Sequence, residues 1–313
     1  ILLKNLVLEG NIINGIQTSS TPLYIHLYSK LKKEDSSYYY IEKDKKVWKI
    51  QKELTKPYYQ TIKNDTKFNT FRNIQPNSFV IYPYKFDANG NLKLVLLDDL
   101  KANYNGLYSY FNHYKEKLVN RDISPEANDL DWYKFGRSQH LTSAICNSKI
   151  IVGVLSNGYK YSIDYNGTFV SSGGTAGYAM IKIPNESDYS IYYIQALLSS
   201  KYLEWFAYWY GEIFRGNFVA RGTKVLKELP IIKIDFENDV EKELHNKIAI
   251  TQKNLNDIQI QIDINIGNKR KQTPLQRQFE AKKLELDNLL KDLFDLEEDD
   301  TLIPNVSDIY AID

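Results

Sequence analysis

Residues Asn238 to Phe294 divide this chain into two parts, and they read NDVEKELHNKIAITQKNLNDIQIQIDINIGNKRKQTPLQRQFEAKKLELDNLLKDLF. Apolar residues recur three, four or seven positions apart in its first half, at Val240, Leu244, Ile248, Leu255, Ile258 and Ile262. The second half repeats this spacing at Leu275, Phe279, Leu286, Leu289 and Leu293. Such spacing places one apolar stripe along a helix. The segment Gly267–Pro274 between the stripes contains helix-ending residues. The stretch therefore predicts an antiparallel helical hairpin with a basic turn.

The residues before this hairpin follow a different pattern, in which short strands are interrupted by turns. The runs rich in β-branched and aromatic residues are Leu23–Tyr28, Phe79–Tyr84, Leu92–Leu97, Ile150–Leu155 and Tyr178–Ile183. Helical spacing occurs at Gly106–Arg121 and Ser190–Tyr208. Strands and helices do not alternate regularly, so we expect an α+β fold rather than a doubly wound sheet. A mixed domain at residues 1–235 would precede the hairpin and tail at 236–313.

The net charge of +1 conceals two parts of opposite sign. Residues 1–234 hold 30 of the 40 Lys and Arg but 21 of the 39 Asp and Glu, which leaves 10 and 18 for residues 235–313. A basic body with an acidic tail suits a domain that binds a polyanion. Chance clustering of surface charge is the alternative interpretation.

The compartment and the completeness of the chain are also open to inference. The single cysteine, Cys146, excludes an internal disulfide and fits a cytoplasmic protein. No apolar run is long enough to span a membrane, so we expect no membrane partner. Because the chain opens on Ile1 rather than on Met, we expect it to be a fragment of a longer protein.

Several common catalytic motifs are missing from the sequence. There is no GxGxxG after a strand, no GxxxxGK[ST] and no GxSxG, so no nucleotide site or nucleophile elbow is indicated. The four histidines are scattered, and with one cysteine they give no metal-ligand spacing. We therefore expect no catalytic residue, cofactor or metal in this segment.

Two stretches combine cations with aromatic or turn residues. They are Trp132–Gln139 (WYKFGRSQ) and the loop-like Phe214–Lys224 (FRGNFVARGTK). Arginine pairs with guanine and glutamine with adenine, while aromatic rings stack on exposed bases. The 25 tyrosines leave a second class open, because tyrosine-rich surfaces also bind proteins. The alternative function is therefore a module that docks a partner subunit.

An ordered series of motifs resembles a known family. The matching stretches are Asn14–Thr18 (NGIQT) with Leu23–Ile25, Val47–Tyr58, Phe79–Tyr84 (FVIYPY), Trp132–Gln139, Lys149–Val152, Ala196–Lys201, Leu226–Ile231 and Leu284–Leu296. In this order they resemble the TaqI-like C-terminal specificity domain of type IIG restriction–modification enzymes and adenine-specific DNA methyltransferases. Ser19 and Gln51 depart from the pattern, since the family often has Gly and Glu there.

The resemblance implies that this segment recognises double-stranded DNA while catalysis lies elsewhere. The methyltransferase domain, with its S-adenosylmethionine, would lie N-terminal to Ile1 in the same protein. The parent would be an adenine-specific (N6) methyltransferase, with or without a fused endonuclease. Motif position or charge near turns gives these candidate DNA contacts: Thr18, Arg72, Lys85, Arg137, Gln139, Lys160, Arg215, Arg221 and Lys224.

Each of these candidates also has a purely structural interpretation. Arg137 could be a buried, paired arginine. A residue that is shared by proteins recognising different DNA sequences is a poor candidate for a base-specific contact. Arg215 and Arg221 could pair with nearby acids such as Glu212 and Glu228 and only brace their loop. The remaining candidates could be ordinary solvated surface residues.

Overall fold

A computed structural model describes residues 1–61, 71–142, 145–146, 148–173, 177–214, 216–295 and 302–310. The elements of its first half are α1 (Leu3–Leu6), β1 (Ile12–Asn14), α2 (Thr21–Tyr24), β2 (Ile25–Leu27), β3 (Leu31–Glu34), β4 (Tyr38–Lys43), β5 (Lys46–Gln51), β6 (Thr55–Tyr58), β7 (Ser78–Ile81), β8 (Tyr84–Phe86), β9 (Leu92–Leu94), α3 (Leu97–Asn103), α4 (Asn105–His113) and α5 (Lys115–Val119). Those of its second half are β10 (Lys149–Gly153), β11 (Leu155–Ser156), β12 (Tyr161–Asp164), β13 (Tyr178–Lys182), α6 (Ile191–Leu198), α7 (Lys201–Tyr210), β14 (Glu212–Phe214), β15 (Phe218–Ala220), α8 (Thr223–Glu228), α9 (Asp239–Ile264), α10 (Lys269–Phe294) and α11 (Val306–Ile309). Small sheets and helices in this mixed order confirm the α+β class.

The centre of the body is an antiparallel sheet with strand order β1-β13-β10-β12, and both of its faces are buried. Side chains alternate between the faces of a strand. Ile151 therefore enters a first core, whereas Ile150 and Val152 on either side of it enter a second. The first core also holds β2, β7 and α4, and the second holds α6, α7 and α8. The sheet thus separates two layers of packing.

The predicted hairpin is present as helices α9 and α10. Gln272, early in α10, donates to the carbonyl of Ile262, late in α9, whereas Thr251 lies beside Glu285 further along. One helix therefore runs back along the other, which confirms the antiparallel arrangement. The connection is shorter than predicted: α10 begins at Lys269 and continues through Pro274. Asn268 caps it by accepting a bond from Lys271 N–H.

The hairpin shares the second core with the body. Ile248 and Leu255 of α9 and Leu286 and Leu290 of α10 are buried there. In the same interface Gln195 of α6 accepts hydrogen bonds from the buried amides of Gln252 (3.3 Å) and Asn256 (2.9 Å). These two buried hydrogen bonds hold the hairpin to α6 in one position.

Four segments differ from the sequence prediction. Leu23–Tyr28 begins as the end of a short helix rather than as a strand, because Ser20 and Pro22 start a turn there. Gly106–Arg121 forms two helices, α4 and α5. Ser190–Tyr208 is also two helices, because Ser200 caps the second by accepting from Leu203 N–H at 3.2 Å.

The largest difference concerns Phe214–Lys224, which was expected to be a loop. Phe218–Ala220 is a strand that pairs with β14 on one side and β11 on the other. Helix α8 then begins at Thr223, so the end of the segment is helical. Val219 is fully buried, and its burial explains why the segment is ordered rather than free.

The beginning and the end of the body lie side by side. Ile1 donates to the carbonyl of Ile231 at 2.8 Å, and Ile231 N–H donates back to Ile1 at 2.7 Å. Leu2 and Pro230 form an antiparallel bridge between these residues. The body therefore closes just before the hairpin.

Candidate nucleic-acid interface

The first motif loop leaves β1 and runs beside residues 170–172. Ile16 N–H donates to Val170 at 2.9 Å, and Ser172 N–H donates to Ile16 at 2.7 Å. A Cβ on Gly15 would lie 2.3 Å from the carbonyl oxygen of Val170, so a side chain has no room there. Glycine at this position lets the two segments approach, which gives the motif a physical reason.

The second motif, around Arg137, pairs with this loop. Arg137 N–H donates to Gln17 at 3.2 Å, and Gly136 N–H donates to Thr18 at 3.3 Å. A Cβ on Gly136 would lie only 1.8 Å from the hydroxyl oxygen of Ser19. Two stretches more than a hundred residues apart in sequence are therefore brought into direct contact, and glycine makes that contact possible.

Arg121 supports both motifs from behind, and the sequence did not point to it. Its guanidinium donates to the carbonyl oxygens of Thr18 (2.7 Å), Trp132 (2.9 Å), Lys134 (2.9 Å) and Leu118 (2.8 Å). These four bonds tie the end of α5 to both motif segments. The only sequence signal was an arginine at the end of a helical run, which is common at helix C-termini.

A cavity of about 390 Å³ with both polar and apolar lining lies at the first motif loop. Its lining includes the hydroxyl-bearing residues Thr18, Ser19, Ser20, Thr21, Tyr58, Ser171 and Ser172. The predicted contact Thr18 is almost buried here, and its hydroxyl accepts from Ser20 N–H at 3.3 Å. Hydroxyls both donate and accept, so this cavity can bind polar groups without a fixed charge.

Arg137 and Gln139 lie at the edge beside this loop. The guanidinium of Arg137 donates to the Gly136 carbonyl at 2.9 Å and approaches the exposed carboxylate of Asp122 at 3.6 Å. About 31% of the Arg137 side chain is exposed, and Gln139 is exposed. Arg137 is therefore not the buried, paired arginine of the structural interpretation, and the structure brings it close to the Thr18 loop.

Arg72 and Lys85 are engaged within the protein. Arg72 makes two hydrogen bonds to Asp263 of α9, at 2.5 and 2.8 Å, and so links the body to the hairpin. Lys85 donates to Glu53 and to the hydroxyl of Tyr104, and these bonds raise the pKa of its ammonium group. A phosphate would have to compete with these partners.

Arg221 is fully buried, which corrects its prediction as a DNA contact. Its guanidinium forms a bidentate pair with Glu204 at 2.6 and 3.1 Å and donates to Gly158 at 2.9 Å. The hydroxyl of Tyr310, near the chain end, bonds to both members of the pair. The acid is Glu204 on α7, not Glu212 or Glu228. A side chain without exposed surface cannot reach a phosphate.

The other three candidates have different surroundings. Lys224 is exposed on the first turn of α8. Lys160 is half-buried, and burial together with the charge of Arg221 lowers the pKa of its ammonium group. Arg215 lies outside the described residues. Of the predicted set, the structure thus gathers Thr18, Arg137 and Gln139 into one area.

Among the described residues, no group of three or more His, Cys, Asp or Glu side chains is arranged to hold a metal ion. None of their helices combines the length and apolarity needed to cross a membrane.

This arrangement is that of an α+β protein in which a hydroxyl-lined cavity lies beside the partly exposed Arg137. No protein-family model matches the chain. It is similar to the Escherichia coli protein named type II restriction enzyme and methyltransferase RM.Eco57I, with 47% identity over 312 residues. The alignment covers 98% of this chain but 31% of that relative, so the chain spans about a third of the relative's length.

Proposed function

We propose that this chain is the DNA-recognition part of a longer restriction–modification enzyme, the parent protein, which methylates adenine at N6. The observation that carries the proposal is the identity of 47%, over nearly all of this chain, to part of a type II restriction enzyme and methyltransferase. The motif series supports the finer assignment to the TaqI-like specificity domain of type IIG enzymes. Such a parent acts on DNA in the cytoplasm, with or without a fused endonuclease.

In this proposal residues 1–235 bind the DNA, and residues 236–313 brace that domain. The two hydrogen bonds between Arg72 and Asp263 and the buried amides around Gln195 support bracing, because they fix the hairpin on the body. The catalytic groups and the S-adenosylmethionine would belong to the remainder of the parent. That part would act on an adenine extruded from the duplex, since the target atom is out of reach inside the stack.

Base reading is assigned to the edge formed by the two motifs. Arg137 can make two hydrogen bonds to guanine and Gln139 two to adenine, and both side chains have exposed surface. Arg121 holds the backbone of Thr18 and Lys134 in the two motif segments, and Arg137 N–H is itself bonded to Gln17, which supports a fixed backbone at Arg137 before DNA binds. Lys224 is assigned to a phosphate because it is exposed and positively charged.

A selection from random duplexes tests this assignment. We expect the DNA bound by this chain to share a short sequence after repeated selection. Arg137→Ala should relax one position of that sequence by roughly 5- to 150-fold. Lys224→Ala is the matched control, because loss of a phosphate contact weakens all sequences about equally.

Two outcomes would contradict the proposal. If selection enriches no sequence, the assignment of base-specific contacts is wrong. If the affinity does not change with salt, the alternative function, a module that docks a partner protein, is favoured. We also expect the chain alone to transfer no methyl group from S-adenosylmethionine to the selected duplex. Methylation by this chain would refute the assignment of catalysis to the remainder of the parent.

A further inference from the structure

The outward face of the three-stranded sheet β3-β4-β5 carries lysine and tyrosine side chains. Lys33, Tyr40 and Lys49 are paired directly across the three strands. Residues paired in this way project from the same face of a sheet. Tyr38 lies two positions before Tyr40 on β4 and therefore shares that face. We call these four residues the lysine–tyrosine face.

The opposite face of the same sheet is part of the first core. Ile41 and its cross-strand partner Trp48 are buried, and the ring of Tyr39 stacks on Phe79 with centroids 4.4 Å apart. Because this inner face provides the packing, the outer face is not needed to hold the sheet in place. Its chemistry is free to serve contacts with another molecule.

Both lysines of the lysine–tyrosine face are exposed and lie over a tyrosine ring. The ammonium nitrogen of Lys49 is 3.7 Å from the ring centroid of Tyr38, and that of Lys33 is 5.6 Å from the centroid of Tyr40. These distances are within the range of cation–π attraction. Neither lysine forms an ion pair with a described residue, and Lys33 is attracted electrostatically to Asp35. Both lysines have exposed surface that an anion can reach.

The acidic residues around this face are already engaged. Glu42 pairs with Lys32, and Glu34 lies 3.5 Å from Lys52. Asp35 accepts bonds from the backbone of the β3–β4 turn and from the Tyr40 hydroxyl at 3.0 Å. Residues 30–56 hold nine lysines and five acidic residues. The segment therefore has an excess of positive charge, and two of its lysines without an ion pair to a described residue, Lys33 and Lys49, share one face.

We propose that the lysine–tyrosine face binds the backbone of duplex DNA, with Lys33 and Lys49 each neutralising one phosphate. The inference rests on the proposed function and adds a second contact surface to the edge at Arg137. The tyrosines hold the lysines extended before DNA arrives, so less rotamer freedom is lost on binding. The ammonium group of Lys49 also covers the ring of Tyr38, which favours a phosphate over a stacked base.

A salt series measures the number of phosphate contacts. The double variant Lys33→Met, Lys49→Met keeps an unbranched apolar side chain at each position and removes both charges. The slope of log affinity against log salt is negative, and each lost contact makes it less steep by about 0.9. The slope of the double variant should therefore be less steep by about 1.8. Between 50 and 200 mM salt, the affinity of the unsubstituted chain should therefore fall about 12-fold more than that of the double variant.

The control is the double variant Lys247→Met, Lys253→Met on helix α9, where both lysines pair with acids one turn away. It changes the net charge equally and should leave the slope unchanged. Tyr38→Leu should weaken binding a few-fold at an unchanged slope, because it removes the support of Lys49 but not its charge.

The outcomes separate this inference from the proposed function. If the affinity of the unsubstituted chain does not depend on salt, the proposed function itself fails. If that affinity depends on salt and the Lys33, Lys49 double variant has the same slope, only the inference is wrong. A preference for single-stranded DNA that is lost in Tyr38→Leu would indicate base stacking and would also overturn it.

Discussion

Gly136 and Ser19 are in contact where the two motif segments meet, and a methyl group at position 136 has no space. The added Cβ of Gly136→Ala would lie 1.8 Å from the Oγ and 2.4 Å from the Cβ of Ser19. Its next neighbour, a methyl carbon of Ile123, is at an ordinary 3.4 Å. Ser19 and its loop must therefore move, and such overpacking lowers the free energy of unfolding by about 1–3 kcal/mol.

A second substitution should remove most of this cost. Ser19→Gly deletes both atoms that the new methyl group meets. Ser19 has φ +54°, a left-handed conformation that costs an L-residue about 1–2 kcal/mol. Glycine avoids that cost but loses about 0.5–1 kcal/mol in backbone entropy. Ser19→Gly alone should therefore range from neutral to about 1.5 kcal/mol more stable, and Gly136→Ala in that background should cost little.

Urea unfolding of the four proteins, followed by tryptophan fluorescence, measures this coupling. We expect the double variant to be more stable than the sum of the single effects predicts, by about 1–3 kcal/mol. DNA affinity should follow, falling in Gly136→Ala and recovering in the double variant, because Gly136 precedes Arg137, whose backbone is bonded to this loop. Strictly additive effects would refute the reasoning, since they would mean that the two positions do not compete for space.

Three further predictions concern charged and titrating groups elsewhere. Arg221→Ala leaves the buried carboxylate of Glu204 unpaired and should lower the free energy of urea unfolding by about 3–5 kcal/mol; an unchanged midpoint would contradict the buried pair. Arg72→Ala and Asp263→Asn should each cost only about 1 kcal/mol, because the pair is partly exposed, and a double-mutant cycle should show that these costs do not add. Burial lowers the pKa of His26 to about 4, so its neutral form stabilises the fold above the unfolded value of 6.5. As pH falls from 6.5 to 4, about 2.5 kcal/mol should be lost in the unsubstituted chain and retained in His26→Phe; parallel unfolding free energies of the two proteins against pH would refute this.

Elements with a strong period were predictable from sequence. The apolar stripes gave both long helices, because a spacing of three or four residues has one physical solution in a soluble chain. The apolar runs at Ile150 and Tyr178 also became strands. Position along the chain could not reveal that neighbouring residues in these strands enter different cores, since that depends on layers packed from both sides.

The candidate contacts were harder to predict. Arg221 looked like a surface cation because its neighbours are Ala220 and Gly222, yet its carboxylate partner is Glu204 on another element. Arg121 carries four backbone bonds that no motif announces. Long-range pairing decides both cases, and a single sequence contains no record of it. The contact between Gly136 and Ser19 is of the same kind.

The mutual hydrogen bonds between Ile1 and Ile231 have a consequence for how the body can vary. The distance between Ile1 and the start of the hairpin is set by this pair and not by the residues between them. Reading loops can therefore lengthen, shorten or be exchanged inside the body while its two ends stay together. The recognised DNA sequence can in this way change while the spacing of the parts that the body joins stays the same.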